Sequence, residues 1–154
     1  QQHGRAAGRL WWSSLAVLAV FAALGLPGTV RQPSAGAAAG LLDARPFSEE
    51  ALAAARASGK PVFLYMTADW CLSCKVNERV AIEREPTRDA FRKAGVVVLR
   101  GDWTRRDPAI TRFLTAQGAA GIPLYLWYPA GGGAPQQLPQ VLGPDSLVEI
   151  AGGI

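Results

Sequence analysis

The sequence predicts an α/β three-layer sandwich, a mixed central sheet with helices on both faces, preceded by one N-terminal transmembrane helix. Three observations carry this prediction. Strand-length apolar runs, "PVFLYMT" (61–67), "VVVLRGDW" (96–103) and "PLYLWY" (123–128), alternate with helix-length segments that carry cap signals. From Leu10 to Leu26 the chain has no charge, and the apolar run continues weakly to Val30. The only two cysteines, Cys71 and Cys74, fall where the first apolar run gives way to a helix.

Taken in order, the N-terminal run is long enough to matter. The 21 residues from Leu10 to Val30 would make a helix of about 31 Å, close to the hydrocarbon thickness of a bilayer. Trp11 and Trp12 stand where an interfacial belt belongs. Arg5 and Arg9 precede the run and Arg31 follows it, a slight bias that places residues 1–9 on the cytoplasmic side. The competing reading is a cleaved signal peptide with small-residue sites at Ala35-Gly36-Ala37 or Ala37-Ala38-Ala39. Either way the domain that follows is exported. The chain opens on Gln1 without a methionine, which suggests a segment of a longer protein. Residues 10–30 are thus expected to span the membrane, 31–45 to form a Gly/Ala/Pro/Ser-rich linker, and 46–154 to fold as one domain.

Within that domain, Ser48 caps a helix whose first turn carries Glu49 and Glu50 and which Gly59 stops. The run 61–67 is continuous rather than alternating, as in a central strand covered on both faces. A helix is expected from Cys71 to Arg84, then a short one from Thr87 to Lys93 ended by Gly95. The second strand is 96–103. Asp107-Pro108 opens another helix, which Gly118 closes. Strand 123–128 turns through "AGGGAP" into "QQLPQVL", which Pro139 confines to an edge, and 144–150 makes a last short helix. Helical crossovers imply parallel strands, and the final turn an antiparallel hairpin.

Net charge is +4, but the arginines are scattered. The densest group, Arg84, Arg88, Arg92 and Lys93, reads as a solvated helix face, and no basic stripe alternates with exposed aromatics as nucleic-acid binding requires. The cysteine pair admits several uses. Structural zinc needs four ligands, and the chain offers two cysteines and His3, which lies beyond the apolar segment. Haem attachment needs a histidine where Lys75 stands. As a staple, a loop of two intervening residues removes little unfolded-state entropy. A redox pair fits the location, because free N–H groups at a helix start favour a thiolate at Cys71. Lys75 adds to this if it folds back, Trp70 supplies an apolar shoulder, and Cys74, one turn in, is partly covered as a resolving thiol. Cys71 then attacks a partner disulfide and Cys74 releases the partner. A Cu(I)-binding module or a redox-sensing module using the same two thiols stays open. At "GIP" (121–123), a cis Ile122–Pro123 bond would place backbone beside the cysteines, where an extended peptide could pair with it.

"ADWCLSCK" followed by "GIPLYLWY" resembles the thioredoxin superfamily. The longer runs "MTADWCLSCKVNE", "GDWTRRDPAITRFL" and "GIPLYLWYP", in that order, resemble the periplasmic C-terminal domain of the DsbD/ScsB-type transmembrane thiol:disulfide interchange proteins, over roughly residues 46–150. The resemblance implies a thioredoxin-like fold, exchange at Cys71 and Cys74, and Pro123 as a cis-proline. It implies no bound cofactor: electrons come from NADPH through cytoplasmic thioredoxin and the transmembrane domain of the same longer protein. They pass to exported thiol–disulfide partners on the periplasmic side of a bacterial inner membrane, including those of cytochrome c-type biogenesis. One position departs from the family pattern. Such proteins commonly carry a buried acid six residues before the first cysteine, and here that residue is Tyr65. A phenol is no base near neutral pH. Glu78, four residues after Cys74 and so on its helical face, and then Asp69 are the substitutes.

Overall fold

A computed structural model describes residues 40–153. The predicted flank (1–9), membrane span (10–30) and first part of the linker (31–39) lie outside the described residues. Among the described residues no helix is long and apolar enough to cross a membrane.

The elements are β1 (Arg45–Pro46), α1 (Glu49–Ala57), β2 (Val62–Thr67), α2 (Leu72–Asn77) running into a π-helical turn (Glu78–Ile82), α3 (Glu85–Ala94), β3 (Val97–Asp102), α4 (Pro108–Ala116), β4 (Leu124–Tyr128), β5 (Gln136–Gln137) and α5 (Ser146–Gly152). The sheet order is β1-β3-β2-β4-β5. β1, β3 and β2 are parallel, whereas β4 runs antiparallel to β2 and to β5. The helical crossover before β4 therefore returns the chain in the opposite sense, not in the parallel one expected of a helical connection.

Strand β2 is the axis of the molecule, and all six of its residues are buried. Side chains on a strand alternate between faces, so Phe63 and Tyr65 join one core with Ile82, Phe91, Val98, Tyr125, Trp127 and Leu147. Val62, Leu64 and Met66 join the other with Leu52, Leu99, Ile110, Phe113 and Leu126. Each fully buried apolar side chain of this kind stabilises the fold by about 1.5–3 kcal/mol. The two cores hold the sheet and leave no stapling task for a disulfide.

Three sequence signals act as expected. Ser48 Oγ accepts from Ala51 N–H at 3.0 Å and caps α1. Asp107 caps α4 ahead of Pro108. Gly95 takes a left-handed φ of 69° and closes α3. Several boundaries differ: α3 starts at Glu85 rather than Thr87, α5 runs from Ser146 to Gly152 rather than 144–150, and three further differences bear on the site. The helix begun at Leu72 ends at Ile82, because Glu83 leaves helical geometry and Arg84 is extended as it enters α3. Only Gln136–Gln137 of the predicted 136–142 strand pairs with β4; Pro139 has no N–H to continue the ladder. The stretch 40–45 is not a free linker: Leu42 is buried in the first core, and the Glu83 carboxylate accepts from Leu41 N–H.

Candidate active site

The chain leaves β2 at Thr67, passes the fully buried Ala68, and closes a turn with Cys71 N–H donating to Ala68 O at 3.1 Å. Cys71 is extended (φ −87°, ψ 97°) and sits at the cap of α2, where its Sγ accepts from Cys74 N–H at 3.2 Å. Its carbonyl accepts the first helical bond, from Lys75 N–H at 3.1 Å. Cys71 and Cys74 are joined by a disulfide of 2.05 Å.

Both sulfurs are better covered than a bare helix tip would leave them. Cys71 keeps 6% of its surface exposed and Cys74 keeps 1%. Ala68 and Ile122 supply the cover. Access is therefore a narrow window over the first cysteine, and the second is not partly but wholly enclosed. Around the window the surface is apolar, with Trp70 52% and Leu72 79% exposed. The Ile122–Pro123 peptide is cis. Ile122 packs on the cysteine cluster, and the Pro123 carbonyl accepts from Gln140 Nε2 at 3.5 Å.

The polar groups form a chain beneath this rim. Glu78 Oε1 accepts from the buried Thr67 hydroxyl at 2.5 Å, and its Oε2 accepts from Lys75 Nζ at 2.8 Å. The same ammonium lies 3.9 Å from the exposed Asp69. Lys75 thus sits between two carboxylates, the nearer that of Glu78. Tyr65 is buried against Phe63, with ring centroids 5.6 Å apart. Burial pushes its phenol far above the usual range; the Arg100 charge opposes this, while the Glu83 and Glu78 charges add to it. The phenol stays protonated throughout the physiological range.

Four residues the sequence did not single out shape the site. Asn77, 2% exposed, donates to Tyr125 Oη (2.9 Å) and Gln140 O (2.7 Å) and accepts from Leu142 N–H (3.1 Å). It ties α2 to the loop whose Gln140 reaches Pro123. Thr104 accepts the Trp70 indole N–H on its carbonyl (3.1 Å) and the Asp69 N–H on its hydroxyl (3.0 Å). Trp103 and Arg106 pack beside Trp70. They fall within the runs that carry the family resemblance, but no periodicity or cap signal marks them individually: a polar side chain in a short helix and a charged loop both read as surface. Among the described residues no cluster of three metal-ligating side chains occurs.

A thioredoxin-like family model matches residues 43–130. Thiol:disulfide interchange protein DsbD 1 of Pseudomonas aeruginosa is 43% identical over 84 residues, which cover 54% of this chain and 14% of that protein. DsbD of Escherichia coli is 32% identical over 84 residues, with the same two coverages of 54% and 14%. The chain therefore matches only a small part of the length of these relatives. Among solved structures, the C-terminal domain of Neisseria meningitidis DsbD in the reduced form superposes with a TM-score of 0.56 at 23% identity, covering 71% of this chain and 98% of that one. Chloroplastic thioredoxin z gives 0.53 at 23% identity, covering 71% and 92%. At that identity the structural likeness speaks to the fold.

Proposed function

The chain belongs to the thioredoxin-like family, and from that premise we propose that it is a protein-disulfide reductase working by thiol–disulfide exchange at Cys71 and Cys74. The observation that carries the proposal is the asymmetry of the bonded pair: one sulfur at a surface window and a helix start, the other enclosed behind it. A dithiol donor first reduces the pair to two thiols. Cys71, as thiolate, attacks one sulfur of a partner disulfide; a bond from Cys71 to the partner forms, the partner's S–S bond breaks, and the leaving sulfur takes up a proton. Cys74 then gives up its proton and attacks Cys71 Sγ. The Cys71–Cys74 bond forms again, and the partner leaves as a dithiol carrying two electrons.

The Cys74 N–H aimed at Cys71 Sγ becomes a charge-assisted hydrogen bond when that sulfur is a thiolate. Glu78 is the acceptor for the Cys74 proton, held by Thr67 and Lys75 where the protonated Tyr65 phenol cannot serve. Pro123 and Ile122 line the approach for the partner's backbone. Electrons arrive from a transmembrane domain of the same longer protein, supplied by NADPH through cytoplasmic thioredoxin. They leave to exported thiol–disulfide proteins on the periplasmic face of a bacterial inner membrane, those of cytochrome c-type biogenesis among them. Support for this setting is the uncharged run ahead of the domain and the name these relatives bear, thiol:disulfide interchange protein.

The test is a trap. A Cys74→Ser chain is expected to accumulate a mixed disulfide through Cys71 with an exported protein, released by dithiothreitol and missing from the Cys71→Ser/Cys74→Ser double variant. If no adduct with any exported dithiol protein forms, the proposal fails.

A further inference from the structure

We infer that Trp70 and the loop Trp103–Arg106 form a docking surface for an acidic flank of the partner's disulfide, with Arg106 as the residue that selects it; this rests on the exchange reading above. The Trp70 indole is fixed to this loop by its N–H bond to the Thr104 carbonyl, 3.1 Å, one residue before Cys71. Its ring centroid lies 6.0 Å from that of Trp103. The Arg106 guanidinium sits over both, 5.7 Å from the Trp70 centroid and 5.3 Å from that of Trp103.

The loop is held in place from both sides. Trp103 N–H donates to Thr67 O (2.8 Å), Asp69 N–H to Thr104 Oγ1 (3.0 Å), and Arg106 N–H to Trp103 O (2.9 Å). Arg106 takes a left-handed φ of 53°, a backbone that a non-glycine residue keeps only where its surroundings impose it. Stacking engages the flat face of a guanidinium and leaves its N–H edge available for a carboxylate. Among the described residues Arg105 and Arg106, both exposed, make no ion pair. Asp107 is occupied in capping Ala109 and Ile110 N–H, and Asp102 faces Arg100 and Thr104. A preorganised donor fork without an ion-pair partner therefore stands against Trp70, the residue next to Cys71. Whatever approaches that window carries a disulfide, so the complementary group is an Asp or Glu side chain near the partner's cysteines, which accepts two N–H bonds from Arg106 while the sulfurs react.

The experiment uses the full chain, reduced beforehand, and two synthetic peptides with one intramolecular disulfide, flanked in one by glutamate and in the other by glutamine. Second-order oxidation rates are followed by tryptophan fluorescence. The expected result is a preference of about five-fold for the glutamate peptide, the size of one partly exposed ion pair, which shrinks as salt rises. In Arg106→Gln the ratio falls to about one, and in Arg106→Lys, which keeps the charge without the fork, it lies between. Equal rates for the two peptides on the unaltered chain, or a ratio that survives Arg106→Gln, overturn the docking inference alone. Failure to react with either peptide removes the exchange reading and this inference with it.

Discussion

Helices α2 and α4 begin at the same end of the sheet, each after one of two adjacent parallel strands, yet their first turns are closed by different chemistry. At α4, Asp107 Oδ1 accepts from Ala109 N–H (2.8 Å) and Ile110 N–H (3.2 Å), and Pro108 fills a position whose N–H would lack a helical partner. At α2 the cap is a sulfur, a weak acceptor, holding one N–H at 3.2 Å. The first arrangement serves stability, and α4 runs regularly for 9 residues. The second forgoes about 1 kcal/mol of capping and keeps a nucleophile at the same geometric point. What α2 lacks in its cap it recovers from Asn77, whose buried amide anchors it to Tyr125, Gln140 and Leu142. One helix is secured at its start, the other three residues past the second cysteine.

The contrast yields an ordered set of expectations. The largest effect is Cys71→Ser, which supplies a better cap oxygen but a poor nucleophile. Exchange with a peptide disulfide should fall to background, while the urea midpoint stays within about 1 kcal/mol of the reduced parent. A retained exchange rate would show that the sulfur at the cap is not the attacking one. Next is Asn77→Ala, which leaves the Tyr125 hydroxyl, the Gln140 carbonyl and the Leu142 N–H without their partner. A loss of about 2–3 kcal/mol is expected in urea unfolding; a loss below the ~1 kcal/mol of a helix cap would show that α2 is held elsewhere.

The third concerns alkaline pH. The Tyr125 phenol is pushed up to about 12, by burial first, with the Glu78 charge adding to it and the Asn77 bond opposing. Unfolded, it titrates near 10, so the folded state holds the proton more tightly. Its contribution is complete below about pH 10 and is lost as pH rises toward 12. Between pH 9 and pH 11, Tyr125→Phe should lose about 1 kcal/mol less stability than the parent, by urea midpoints at both values. The smallest effect is Asp107→Ala, a loss of about 1 kcal/mol with peptide-exchange rates nearly unaltered. A large drop in exchange there would mean that the α4 start takes part in the chemistry.

Local signals carried much of the fold. Continuous apolar runs announced β2 and β4, Ser48 and Asp107-Pro108 announced two helix starts, and the cysteine spacing announced the strand–helix junction. Other features have no such signal. β1 is an arginine and a proline that pair only because β3 lies beside them. The π-helical turn leaves no mark in hydrophobic period; there Glu83 N–H reaches back to Glu78 O at 2.6 Å. Whether Lys75 folds back has no sequence signal either; its ammonium pairs with Glu78 and lies 3.9 Å from Asp69, two carboxylates that attract a cation at short range.

By itself, then, the sequence determined which residues could be reactive and where each element would start, because strand burial, helix capping and thiol chemistry are read within a few positions along the chain. Only the tertiary structure decided how far each sulfur is covered, which carboxylate receives the buried Thr67 hydroxyl, and which arginine meets two tryptophans. Those outcomes depend on contacts between residues distant in the chain, such as Thr67 with Glu78, Trp70 with Arg106 and Asn77 with Leu142, which become neighbours only when the two cores close on the sheet.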